Sequence, residues 1–487
     1  MKMLIDGQWA NSSDGATQAV RNPGTGELID TVPVASAADL DLALKASVAG
    51  SKRMRTMPAH QRSAVLMRAA DLVKERKEEL AVLLARENGK PIRQTRDEVE
   101  VAARIFRGFA EEGRRLFGRT IPMDAVPGNE RHFAMTVRQP LGVIAAIVPF
   151  NYPVELYAHK AAPALAAGNA VIAKPPSACP LTLLRIAALL EEAGLPRAGH
   201  QMITGPGELV GEHLARSPIV RLVSVTGSTA VGIRLAQLGA ESLQKIHLEL
   251  GGNDATIVCA DADLEKAAEA IVLGRLARGN GQICCAVKRV FVDRRVYGDF
   301  CSLLTAKAAA LVMGDQLAED TEVGPLISEQ AAMKVEALIA EAVKSGARLL
   351  VGGTRRGSFI TPAVLADVPP SVALFKEETF GPVAPIVAFS DEDQAVEMAN
   401  DSAFGLQAAV FTNDISRAMN IARRLEVGGV IVNWSSALRS ENLPFGGTKL
   451  SGYGREGLHD TLEEMTEQKV ILFHNAFPPA EEATPGS

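Results

Sequence analysis

Apolar positions along the chain repeat in two different ways, and the change from one to the other divides it. Up to about residue 119 they recur at three- and four-residue spacing, as in AVLMRAADLVKERKEELAVLLARE, after a hairpin-like opening of LIDGQWA and NPGTGELIDTVPV. That spacing gives each helix one apolar stripe, so the segment predicts a helical layer. From Gly142 to Glu249 the pattern becomes short apolar runs, GVIAAIVP, AVIAKP, HQMITG, VRLVSVTG and KIHLEL, separated by amphipathic stretches. Strand runs joined by helical crossovers predict a doubly wound parallel sheet. A second alternation follows Gly252, with strands expected at KRVFVD, VAPIVAF, QAAVF and VGGVIVN, and helices such as LEKAAEAIVLGRLA and DISRAMNIARRLE between them. The expected fold is α/β, with two doubly wound parallel-sheet domains. Two further segments, ERHFAMTVRQP and EQKVILFH, read as strands suited to pair across a subunit interface. The tail PPAEEATPGS has the composition of a disordered segment.

Composition narrows the class. With 487 residues there is room for two or three domains and a cleft between them. The 51 basic and 57 acidic residues are interspersed and leave a net charge of -6, which asks for neither nucleic acid nor an anionic membrane. The N-terminal stretch lacks the apolar centre of a signal peptide, and no apolar run approaches the roughly 20 residues of a membrane span, so a cytoplasmic protein is expected. The five cysteines, Cys179, Cys259, Cys284, Cys285 and Cys301, form no paired Cys/His clusters. Neither a disulfide framework nor a bound metal is expected.

Three segments carry candidate chemistry. In GNGQICCAVKRV a glycine-rich turn precedes Cys284, a place where backbone can approach a ligand closely and a thiol can act as a nucleophile. Alone, such a cysteine is as readily an inert core residue. In KIHLELGG, Glu249 ends an interior strand just before two glycines and is either a base or one half of an ion pair. In VPFNYP, Asn151 follows the first strand of the parallel sheet, at the carboxyl end where open α/β sheets place ligands. Its amide suits an oxyanion, or else it is a turn residue stiffened by prolines.

Together with AKPPS, VTGSTAVG, EETFGPV and PFGGTKLSGYGREG, these segments resemble the aldehyde dehydrogenase superfamily, in order and spacing, over essentially the whole chain. The resemblance implies roles residue by residue. Cys284 matches the nucleophile, with Cys285 its variable neighbour. Glu249 matches the general base and Asn151 the side chain that holds the oxyanion with the Cys284 backbone amide. Gly227 and Ser228 match a helix start that receives pyrophosphate, Glu378 the residue at the nicotinamide ribose, and Lys174 the lysine at the adenine ribose, while Phe380 belongs to the same motif as Glu378. Residues 1–119 and 142–251 then form a dinucleotide-binding domain and 252–449 a catalytic domain. Segments 120–141 and 450–487 supply oligomerisation strands and the tail, with a homodimer or homotetramer expected. The implied reaction is NAD(P)-dependent oxidation of an aldehyde to a carboxylic acid through a thioester.

Departures from the family pattern refine the expectation. Ser177 stands where NAD-preferring members commonly carry glutamate, which removes repulsion of a 2′-phosphate and slightly favours NADP over NAD. Gly279 and Ala277 replace the usual asparagine and aromatic before GQ, and Asn280 is displaced by one position. Asn253 stands where lysine is usual and reads as a surface change. The branch resembled includes lactaldehyde, phosphonoacetaldehyde and non-phosphorylating glyceraldehyde-3-phosphate dehydrogenases. On that basis His159 and Arg439 are expected to line the acceptor pocket, with Arg104 and Arg107 as further cations. Ile283 replaces the arginine that phosphate-binding relatives tend to carry, so the expected substrate is a short polar aldehyde or semialdehyde. Glu249 argues against a CoA-acylating enzyme, and retention of the whole set argues against a silent binding relative.

Overall fold

The computed structural model describes residues 1–478. The expectation for the tail falls on residues 479–487, outside those described. Five parallel strands form the centre of the first sheet, in the spatial order His200–Met202, Ala170–Lys174, Val143–Ile147, Val220–Thr226, Lys245–Glu249. The chain starts in the middle at Val143–Ile147, moves out one way, then crosses back to Val220–Thr226, so the winding reverses between those two strands. At such a switch point the loops leaving adjacent strands diverge to opposite faces and open a crevice. All five strands were expected from their apolar runs.

The alternation of side chains along each strand explains the layers. Ile144, Ala146, Val171 and Ala173 face a core shared with the helices Ala59–Glu75, Lys77–Asn88, Ile92–Glu112, Pro153–Ala167 and Leu181–Glu192. Their neighbours Val143, Ala145, Ile147 and Ile172 face a second core with the helices Ala37–Thr56, Gly207–Arg216 and Thr229–Ala240. Covered on both faces, these strands can be apolar throughout. Two antiparallel additions close the edges: the hairpin of Met3–Ile5 and Gln8–Ala10, and the short strand Gly452–Tyr453, which pairs with Leu248 and Glu249.

The second sheet has seven strands, in the order Arg348–Val351, Ala363–Ala366, Val383–Phe389, Arg289–Asp293, Ala255–Val258, Gln407–Phe411, Gly429–Val432, and only the first is antiparallel. Arg348–Val351, Ala255–Val258 and Ala363–Ala366 are absent from the sequence expectation. The strands Phe133–Pro140 and Thr466–Phe473, expected to pair across a subunit interface, pair with each other, antiparallel over eight residues, and Thr466–Phe473 forms the edge of that sheet within the chain. Among the described residues no helix is long and apolar enough to cross a membrane.

Candidate active site

Cys284 sits where two cavities meet. One, of about 420 Å³, opens at the switch point and is lined by Pro149, Phe150 and Asn151 after one strand, Thr226, Gly227 and Ser228 after the other, and Glu378 and Phe380 from across the cleft. The second is a narrow cleft lined by Tyr152, Glu155, Arg278, Ile283, Cys285 and Arg439. Asn151 and Cys284 line both, so the thiol and the amide share the passage between them.

The loop that presents the thiol has an unusual backbone. Gly279, Asn280 and Gly281 all have positive φ (59°, 54° and 73°), a conformation that only glycine and asparagine adopt readily. A Cβ at 281 would overlap the backbone of Gly381, which fixes glycine there. The buried Asn280 side chain staples the loop: its amide donates to the carbonyls of Gly89 (3.0 Å) and Pro325 (2.9 Å), and its oxygen accepts from Gly324 N–H (2.8 Å). The displaced asparagine of the sequence is therefore the loop's anchor. Asn253, read as a surface change, is instead buried and donates to the carbonyls of Phe375 and Lys376, which ties the nucleophile domain to the segment leading to Glu378.

The two adjacent thiols act on each other in opposite directions, Cys285 raising the pKa of Cys284 and Cys284 lowering that of Cys285. Burial presses both upward, while the cations of Lys288 and Arg439 pull both down. Lys288 has a second task. Its ammonium is buried and donates to the Cys284 and Gly252 carbonyls (2.6 Å each) and to Glu378 Oε1 (2.6 Å). Glu378 also accepts from Gly252 N–H (3.0 Å). The fully buried Arg275 holds the carbonyls of Thr379 and Val383 and so fixes this acidic turn from behind. Lys288 and Arg275 were missed in the sequence; VKRV, quoted for its resemblance, contains the first.

Glu249 is 2% exposed and lies on neither cavity wall. Its Oε1 is turned toward His247 Nε2 at 3.4 Å and its Oε2 has no hydrogen-bond partner. Burial raises its pKa to about 7, against the opposing pull of His247. Behind it, Lys160 pairs with Glu456 (3.0 Å), both fully buried and 296 residues apart in sequence. Arg439 closes the same network, 2.5 Å from Glu456 and 3.8 Å from Glu155, with its guanidinium over the Phe445 ring.

At the far end of the first sheet, Lys174 ends its strand and donates to Ser177 Oγ (3.2 Å), which donates in turn to the Gly205 carbonyl (2.9 Å). Burial lowers the Lys174 ammonium to about 8. The two lie close to the start of the helix Gly207–Arg216, and Lys174 Nζ would be 3.9 Å from a Cβ on Gly207. Ser228 caps the helix Thr229–Ala240, accepting from Val231 N–H, and Gly227 N–H is held by the Glu249 carbonyl.

Three expected pocket residues lie elsewhere. His159 is on a helix that is buried on all sides, packs edge-to-face on Phe109 and is driven by burial to a pKa of about 3, so it is a neutral core histidine. Arg104 and Arg107 project from the exposed face of the helix Ile92–Glu112, whose Ala102, Ile105, Phe106 and Phe109 are buried, and pair with Glu441 and Asp71. Two cations do line the cleft, the expected Arg439 and Arg278, the latter missed in the sequence although it directly precedes Gly279. Arg278 donates to the Ala437 carbonyl (2.9 Å) and lies over the Tyr152 ring.

Residues 9–471 match the model of the aldehyde dehydrogenase family. The chain belongs to the aldehyde dehydrogenase family. This aldehyde dehydrogenase is 41% identical over 472 residues, 97% of its length and 98% of the relative's, to 3-sulfolactaldehyde dehydrogenase of Priestia aryabhattai. It is 39% identical to the NADP-dependent succinate-semialdehyde dehydrogenase of Escherichia coli, over 96% of each chain. The crystal structure of an NADP-dependent glyceraldehyde-3-phosphate dehydrogenase from Bacillus halodurans, complexed with NADP, superposes with a TM-score of 0.95 at 36% identity, covering 98% and 99% of the two chains. Like the rest of the family, this aldehyde dehydrogenase oxidises an aldehyde with a nicotinamide cofactor.

Proposed function

We propose that this enzyme oxidises a short aldehyde with an anionic tail to the acid, with NADP slightly favoured over NAD and Cys284 as the nucleophile. The observation that carries the substrate class is the pairing of Arg278 and Arg439 in the cleft beyond Cys284. Arg278 donates to the Ala437 carbonyl and Arg439 faces Glu456 and Glu155, so both guanidiniums are already held in place to receive a carboxylate, sulfonate or phosphonate. Ile283 gives the neck of the cleft an apolar wall. Relatives named for sulfolactaldehyde and for succinate and glutarate semialdehydes support an anionic tail, and one named for lactaldehyde is the neutral comparison.

The residues around the larger cavity fit a dinucleotide. Glu378 would hold the nicotinamide ribose and Phe380 pack beside it, the capped helix behind Gly227 and Ser228 would face the pyrophosphate, and Lys174 with Ser177 would receive the adenine ribose. The domain of residues 1–119 and 142–251 would thus carry the cofactor and 252–449 the thiol. When bound, the nicotinamide accepts the hydride that leaves the substrate carbon.

The chain's own residues account for the other steps. The Cys284 thiolate adds to the aldehyde carbon, forming a C–S bond, and the charge that moves to oxygen is met by the Asn151 amide and the Cys284 N–H. Glu249 swings in to take a proton from water. The hydroxide adds to the thioester carbon, the C–S bond breaks, and the acid leaves with the thiolate restored. A carboxylate whose pKa is raised to about 7 suits this role, because it is partly ionised and still basic at neutral pH. We also assign assembly into a homodimer or homotetramer to the three-stranded sheet, whose Val470, Leu472 and Phe473 are about half exposed.

The test is formation of reduced nucleotide by purified enzyme with NADP or NAD and a matched panel of neutral, amino, carboxylate and sulfonate aldehydes. The expected result is the highest kcat/KM for an anionic member. Equal use of neutral aldehydes of the same length would remove the two arginines from the substrate reading.

A further inference from the structure

In a β-strand, residues two apart project to the same side, so the spacing H-L-E in KIHLELGG places His247 beside Glu249 on one face of the sheet. The imidazole is 1% exposed. Its Nε2 lies 3.4 Å from Glu249 Oε1 and its Nδ1 lies 2.9 Å from Glu464 Oε2, the latter an ion-pair distance without hydrogen-bond alignment, so the ring sits between a buried carboxylate and one that is 36% exposed. The opposing strand leaves room for it. Gly454 has φ 103°, and a Cβ there would lie 2.6 Å from the ring's Cδ2, so the space a side chain would take is filled by the imidazole.

Every element packed around the ring contributes charge or shape. From its own strand comes Glu249, and from the helix Leu458–Glu464 comes Glu464. The loop between them supplies Glu456 and Arg455, whose N–H holds Glu464 Oε1 while its guanidinium is taken up by the Gly447 and Gly454 carbonyls. The helix Pro153–Ala167 supplies Lys160, committed to Glu456, and the neutral His159. Lys160 and Arg439 both bond Glu456, so His247 is the cation that Glu249 touches directly.

We propose that His247 is a positioning residue for the general base: as an imidazolium held by Glu464, it keeps Glu249 ionised and parked away from Cys284 until the thioester has formed. This rests on Glu249 being the base. Burial alone would depress the imidazole, but its contacts with Glu249 and Glu464 lift it to about 9, so it is charged at neutral pH. The sign of the effect follows. A cation beside Glu249 opposes the upward push of burial, so removing it raises the Glu249 pKa and leaves less carboxylate at pH 7. The Lys160–Glu456 pair cannot replace it, because Glu456 acts on Glu249 in the opposite direction.

The test separates acylation from deacylation by following reduced nucleotide in His247→Gln and Glu464→Gln, from pH 5.5 to 9.5, in the intact enzyme with its preferred aldehyde. In His247→Gln the initial burst should keep its amplitude. The acid limb of the later, steady phase should move up by about one pH unit, which lowers the rate at pH 7 about fivefold. Glu464→Gln, at a partly exposed position that folding tolerates, should move the limb in the same direction by about half as much. A limb that stays in place, or moves to lower pH, in variants that fold overturns the proposal, as does loss of the burst with an unchanged steady phase. Glu464→Gln decides if His247→Gln does not fold. Glu249→Gln is the control: if it turns over like the parent, the base assignment has failed and not the role of His247.

Discussion

The two cavities that meet at Cys284 are built by different means. The cofactor side is placed by strand order: loops after Ile147 and Thr226 and a helix start meet Glu378 and Phe380 across a crevice that the reversal of winding between two neighbouring strands opens. The aldehyde side is made of side chains from segments far apart in sequence, Tyr152, Glu155, Arg278 and Arg439, held by one another's charges. A crevice placed by strand order keeps its position when single residues are exchanged. A wall of charged side chains can be retuned by one substitution, so the two sides should respond differently to mutation.

The largest effect should fall where the sides join. Cys284→Ala should lower kcat by roughly 10⁴-fold or more, because no other group can carry the thioester, whereas Cys285→Ala should retain at least about a third of the parent rate. The reverse order in a steady-state assay would move the nucleophile to Cys285. Next comes the side-chain wall. Arg278→Met should reduce kcat/KM for anionic aldehydes roughly 10- to 100-fold, the equivalent of one charge-assisted hydrogen bond, and change that for neutral aldehydes of equal length by less than about threefold. A uniform loss across the panel would make Arg278 a loop tether through Ala437 and not a substrate contact. The smallest effect belongs to the cofactor side, at the Ser177 side chain beside Lys174. Ser177→Glu should lower kcat/KM with NADP about tenfold while sparing NAD, because a carboxylate beside Lys174 repels the 2′-phosphate. An equal loss with both cofactors would place Ser177 outside the ribose contact.

The same contrast explains what could be read before the structure. Strands of five or more residues, such as the wholly apolar Val143–Ile147 and the mostly apolar Val220–Thr226, carry their own signal, and loops that follow them inherit a position from the sheet. So Asn151, Gly227 and Ser228 are legible as neighbours. Ala255–Val258 and Ala363–Ala366 are four residues long and partly alanine, which weakens the β signal and hides them. Arg104 and Arg107 lie on the solvent face of a helix whose apolar stripe points the other way, so their charge does not reach the cleft. The family branch implies a pocket place for His159, but its helix is enclosed on all sides and gives a side chain there no route to the cleft. The pairing of Lys160 with Glu456 joins positions 296 apart, a distance that no local spacing rule spans.

The staple at Asn280 has a chemical consequence. Asn280 is followed by Gly281, and an asparagine before glycine is the arrangement most prone to cyclise and deamidate, since the next backbone nitrogen meets no side chain on its way to the amide carbon. In the folded enzyme that carbon is locked away, its oxygen and nitrogen both engaged with Gly324, Gly89 and Pro325. Each excursion to the unfolded state releases it, and an aspartate formed there would return as an unpaired charge at a site with no solvent. The working lifetime of the active-site loop is therefore governed by how seldom the protein opens.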